Sequence, residues 1–98
     1  MADLEFFFDP VCPWAWITSR WVDEVRDRRG YDVSWKFISL KLLNEGNEGI
    51  PPQFVDAQRF GHGSLRVASA ARAAAGNDAV DRFYTAVGTA LHVDGRAQ

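Results

Sequence analysis

The chain has 98 residues, fewer than the about 150 of a typical domain, which excludes a multidomain organisation. With 47% hydrophobic, 13% aromatic and 24% charged residues it carries enough apolar material for a core and is not disordered. A net charge of -2 supplies neither a basic footprint for nucleic acid nor a polybasic face for a membrane, and one cysteine with two distant histidines excludes an internal disulfide and a zinc module.

The first residues carry Asp3 and Glu5 where a secretory signal would be positive, and the apolar run 6–8 is too short for a membrane span. The chain therefore reads as cytoplasmic. Leu4, Phe6 and Phe8 alternate with Glu5 and Phe7 until Asp9 and Pro10 end the run, which predicts a strand over residues 3–8. Beyond Pro13, the spacing of Trp14, Ile17, Trp21, Val22 and Val25 predicts the buried face of a helix over 13–29. Arg20, Asp23, Glu24, Asp27 and Arg28 then form its solvated face, and Gly30 its C-terminal stop. Val33, Trp35 and Phe37 alternate with Ser34 and Lys36, which predicts a second strand over 32–38 and so a βαβ unit with parallel strands. Trp21 and Trp35 are read as core.

Residues 44–49 read as a loop, followed by a helix over 52–60 opened by the two prolines. Ser64 would cap a second helix ending at Ala75 and Gly76, and Asn77 or Asp78 a third whose face is Val80, Phe83, Tyr84, Val87 and Leu91. This divides the chain into an N-terminal βαβ part, residues 1–40, and a loop and helical subdomain, residues 41–98. Two parallel strands and one helix cannot cover both faces of a sheet. Either further strands follow residue 98 in a longer parent chain, the reading we prefer, or a second copy completes the sheet as a homodimer or swapped assembly.

The chemistry concentrates at Cys12. It stands after a strand and at the first turn of a helix, where unsatisfied backbone N–H groups and the helix dipole favour a thiolate. A cysteine serving only as a small apolar filler would sit in the helix stripe rather than in a proline-flanked loop. Pro13 fixes the helix start without spending a donor, and Asp9 is a local counterweight to the anion. Trp14 is placed either to stack on a planar aromatic ligand or to join the core. His62 reads as an exposed loop histidine and His92 as a helix C-terminal residue. Ser64 lacks the strand and elbow of a serine hydrolase, and no metal site is formed. Arg66, Arg72 and Arg82 read as solvated helix faces.

The run Asp-Pro-Val-Cys-Pro-Trp-Ala-Trp after a strand resembles the active-site segment of the DsbA-like thioredoxin-fold oxidoreductases. It is most similar to the actinobacterial branch that includes the mycothiol-dependent nitroreductase, whose Cys-Pro-Trp-Cys is followed by a segment like residues 16–21; residues 39–45 resemble the segment leaving its second strand. The resemblance implies an α/β fold in which a thioredoxin-like βαβ unit precedes a helical insertion, the second half of the fold being absent. It also implies a redox-active thiol–disulfide oxidoreductase with Cys12 catalytic, Pro13, Trp14 and Ala15 completing the motif, and Trp14 and Asn44 touching substrate. The co-substrate would be a low-molecular-weight thiol, mycothiol or glutathione, with no tightly bound cofactor, and the substrate a disulfide or a nitroaromatic compound. Ala15 stands where the family has its second cysteine, and none of the four prolines precedes a third strand. A dithiol cycle within one molecule is thus excluded, leaving single-thiol chemistry. Alternatives are a thiol-dependent isomerase of the hydroxychromene-carboxylate and kappa-class transferase group, which usually carries serine at the position of Cys12, or a non-catalytic fragment that associates with a partner.

Overall fold

A computed structural model of the chain describes residues 2–95. Strand β1 (Leu4–Phe8) and strand β2 (Val33–Phe37) pair in parallel, Leu4 opposite Val33 and Phe8 opposite Phe37, and helix α1 (Pro13–Arg29) connects them. A parallel pair requires such a crossover, and the termini of α1 are those the sequence predicts: Pro13 in the first turn and Gly30 in the left-handed conformation at φ 70°. Then follow a short helix α2 (Leu40–Leu43), a long helix α3 (Pro52–Ala75) and helix α4 (Asn77–Gly88), which runs into a π-helical turn, Thr89–Val93. The architecture is mixed α/β, mostly helical on a two-stranded parallel sheet.

The core lies between the sheet, α1 and α4. Phe8, Trp35, Val80 and Tyr84 are wholly buried, with Trp16, Val22, Val33 and Leu65 closing around them. Tyr84 stacks on Phe8 at 4.0 Å between ring centroids and meets Trp16 edge-on at 5.6 Å. Burial pushes the Tyr84 hydroxyl up to about 12.

Two sequence expectations are corrected. The buried face of α1 is Trp16, Ser19 and Val22, while Trp14, Ile17 and Trp21 are exposed, Trp21 at 64%. The reason lies in α4. Arg26 pairs with Asp81 at 2.6 Å, Arg20 donates to the Thr85 hydroxyl at 3.2 Å, and Asp23 bridges both arginines. Arg20 and Asp23, read as part of a solvated face, therefore join Arg26 in tying α1 to α4, and buried Ser19 satisfies itself on the Trp16 carbonyl at 2.6 Å. Secondly, residues 52–75 form one helix, not two. Ser64 caps nothing: its hydroxyl donates to the Phe60 carbonyl at 3.0 Å, inside the helix. The run stays helical through Gly61 because the missing side chain lets α3 pass against Asp9 and Val11, where a Cβ would overlap both.

The outer edge of β2 is occupied by side chains. Asn77 accepts from the Trp35 amide at 2.9 Å and donates to the Val33 carbonyl at 2.7 Å, acting like a short neighbouring strand. Arg72 donates to the Trp35 carbonyl and lies over the Phe37 ring at 4.3 Å. Among the described residues no helix is long and apolar enough to cross a membrane, and no cluster of His, Cys, Asp and Glu could hold a metal ion.

Candidate functional site

Cys12 is the N-cap of α1. Its backbone is extended at φ -79° and ψ 112°, its carbonyl accepts the Trp16 amide at 3.1 Å, and its Sγ accepts the Ala15 amide at 3.4 Å. The sulfur thus takes the place a serine or aspartate oxygen usually holds, against the positive end of the helix. Pro13 takes the first helical position, and Ala15 supplies the amide that the sulfur meets.

The thiol opens into a cavity of about 440 Å³ built from four parts of the chain. Val11, Pro13 and Trp14 come from the motif, Leu40 from α2, Phe54, Ala57 and Gln58 from α3, and Leu91 and His92 from the π-helical turn. Trp14 is 77% exposed, so of the two readings of that side chain the core is excluded. Phe54 is exposed as well. The cavity is therefore largely apolar, with a nucleophile, two aromatic side chains and two polar ones.

Asp9 anchors the loop from below. It is 1% exposed, and its carboxylate accepts from the Val11 amide at 3.1 Å and the Leu40 amide at 2.9 Å, while its carbonyl accepts from the Cys12 amide at 3.0 Å. Burial raises its carboxyl above the ordinary carboxylate range, against the two amides and the nearby His62. One residue thereby fixes the loop carrying the thiol and the first turn of α2. His62 is not a loop residue: it is half-buried within α3, its Nδ1 3.0 Å from the Ser39 hydroxyl that caps α2.

His92 closes the opposite wall. Nε2 lies 2.8 Å from the Pro10 carbonyl, and since a carbonyl can only accept, that nitrogen carries the proton. The ring stacks on Trp16 at 5.8 Å. The π-helical turn sets this direction: its wider winding, with the Asp94 amide bonded to the Thr89 carbonyl at 2.9 Å, brings Leu91 and His92 toward the thiol.

Sequence reasoning placed Cys12, Pro13 and Trp14 together, and the structure does the same. Asn44 lies elsewhere: it caps α2, its side-chain amide donates to the Leu40 carbonyl at 3.0 Å, and it borders a separate cavity of about 220 Å³. Phe54, Gln58, Leu91 and His92 were not singled out for the cavity. Their distance along the chain left no signal for Leu91 and His92, whereas Phe54 and Gln58 share the first turns of α3 at i and i+4, a spacing that marks a common face. A more open hollow of about 700 Å³ follows the ion pairs between α1 and α4 and does not include Cys12.

Comparison with known proteins identifies the family. Residues 11–98, from the cavity loop through the π-helical turn, match the family described as Rv2466c-like, mycothiol-dependent nitroreductase Rv2466c. The chain belongs to that family. It is also 34% identical over 95 residues to the uncharacterized protein Rv2286c of Mycobacterium tuberculosis (strain ATCC 25618 / H37Rv), a match that covers 97% of this chain and 40% of the relative. The chain thus spans about two fifths of the length of that curated relative.

Proposed function

We propose that Cys12 is the nucleophile of a thiol–disulfide oxidoreductase that uses a low-molecular-weight thiol of the mycothiol type, on a DsbA-like, thioredoxin-type βαβ unit. The observation that carries this reading is the Sγ of Cys12 held at the start of α1, on the Ala15 amide, and facing an apolar cavity. The family's printed description, mycothiol-dependent, supports the co-substrate.

In the reaction the Cys12 thiolate attacks one sulfur of a disulfide. A Cys12–sulfur bond forms, the old sulfur–sulfur bond breaks, and the other half leaves as a thiolate. Ala15 cannot resolve the adduct, so a second molecule of thiol does, regenerating Cys12 and releasing a disulfide. A nitroaromatic ring would lie between Trp14 and Phe54. There, Cys12 and one external thiol would together yield two electrons and two protons as they join in a mixed disulfide, and the nitro group would take these up to leave as nitroso compound and water. A reducing compartment such as the cytoplasm suits a free thiol. Pairing with a second copy fits the β1 side of the sheet, because Asn77 and Arg72 occupy the β2 edge.

Exposure of the chain to mycothiol disulfide, followed by intact-mass measurement, tests the reading. We expect one adduct, absent from Cys12→Ser and long-lived; in Ala15→Cys it should give way to an intramolecular disulfide. A wild-type chain without adduct would overturn the assignment of Cys12.

A further inference from the structure

The 220 Å³ cavity bordered by Asn44 adjoins the cavity of Cys12. Gln58 lines both, and each is built from adjacent positions of the same two helices: Leu40 against Lys41 on α2, Phe54 against Val55 on α3. The two differ in chemistry. Where the first offers a sulfur with the aromatic side chains Trp14 and Phe54, the second offers the amides of Asn44 and Asn47 with the cations Lys41 and Arg59. Neither Gln58 nor half-buried Lys41 has a hydrogen-bond or ion-pair partner among the described residues, so both keep donors for a ligand.

We propose that this second cavity is the subsite for the polyhydroxylated body of the thiol co-substrate, with Gln58 at the junction between the reacting sulfur and that body; this rests on the reading of Cys12 above. Several neutral amides beside one or two cations suit hydroxyl and ether oxygens, which both donate and accept, better than a purely anionic ligand, which would meet Glu45 on the same wall. A thiol carrying an amino sugar and a cyclitol, as mycothiol does, presents its sulfur at one end and its hydroxyls at the other. The two adjoining cavities match that division. A small disulfide without such a body would use only the first.

The test compares two disulfides on the same protein. Rates of Cys12 adduct formation are measured with mycothiol disulfide and with 2-hydroxyethyl disulfide, for the wild-type chain and for Lys41→Ala and Gln58→Ala. We expect the ratio of the first rate to the second to fall about tenfold in each variant, the effect of losing one good hydrogen bond in the complex. An unchanged ratio would overturn the subsite while leaving the nucleophile in place. Failure of the wild-type chain to react with either disulfide would instead overturn the reading of Cys12. A second measurement needs neither a variant nor a reacting thiol: in Cys12→Ser, mycothiol should protect Lys41 from acetylation, read by peptide mass spectrometry. Equal acetylation with and without mycothiol would overturn the subsite.

Discussion

The imidazole of His92 donates from Nε2 to the carbonyl of Pro10 at 2.8 Å, joining positions 82 residues apart. The contact holds the loop that presents Cys12 against the π-helical turn, and the same ring lies on Trp16. His92→Ala should lose both the hydrogen bond and the stack, about 1–3 kcal/mol in thermal or urea unfolding. His92→Phe, which keeps an aromatic ring but leaves the carbonyl without a donor, should fall between Ala and wild type. Equal stability of all three would show that the contact does not hold the loop.

Glycines within α3 should respond with opposite signs. In an exposed helix interior, Gly→Ala stabilises by about 1 kcal/mol. Gly63 has open space around its Cβ position and should follow that rule. Gly61 faces Asp9 and Val11, and an added methyl there must displace the carboxylate that anchors the Cys12 loop. Gly61→Ala should therefore destabilise by about 1–3 kcal/mol. Parallel denaturant titrations of the two variants check both signs.

Asn77 substitutes for a neighbouring strand. Replacing it by alanine leaves the Trp35 amide and the Val33 carbonyl unpaired next to a buried ring, at a cost of about 2–3 kcal/mol. Asn77→Asp retains the acceptor but sets a carboxylate against the Val33 carbonyl, so it should not rescue the loss. An open strand edge also promotes self-association. Unfolding curves and sedimentation of the two variants measure the two effects separately.

Stability should depend on pH through Asp9. Its carboxyl is raised above the ordinary 3.8 in the folded chain, chiefly by burial, so the folded state binds this proton more tightly than the unfolded state does. The resulting contribution is fully present below 3.8 and is lost as pH rises through the raised folded value. Asp23 is also raised, chiefly by burial, and contributes in the same sense. The difference between wild type and Asp9→Asn isolates Asp9: relative to that variant, the wild type should lose stability from pH 3.8 upward and then level off. Chemical denaturation across acidic pH reads the slope, and a slope of opposite sign would refute the assignment.

How much of this was legible in the sequence varied with the range of the forces involved. Strands β1 and β2, the ends of α1 and the cap position of Cys12 follow from alternation, proline and glycine, because each depends on neighbours within a few residues. Periodicity over α1 was misleading. Apolar spacing marks which residues can share a face, but which face is buried is decided by what packs on it, and α4 brings Asp81 and Thr85 to the arginines. Likewise Gly61 and Ser64 look like helix punctuation in isolation, yet the helix continues through both: Gly61 lies against Asp9, and Ser64 turns its hydroxyl back to the Phe60 carbonyl. The motif was therefore determined locally, down to the thiol and its helix. The cavity in front of it was decided by tertiary structure, since His92, Phe54 and Leu40 reach Cys12 only when packing of the core sets α2, α3 and the π-helical turn around one loop.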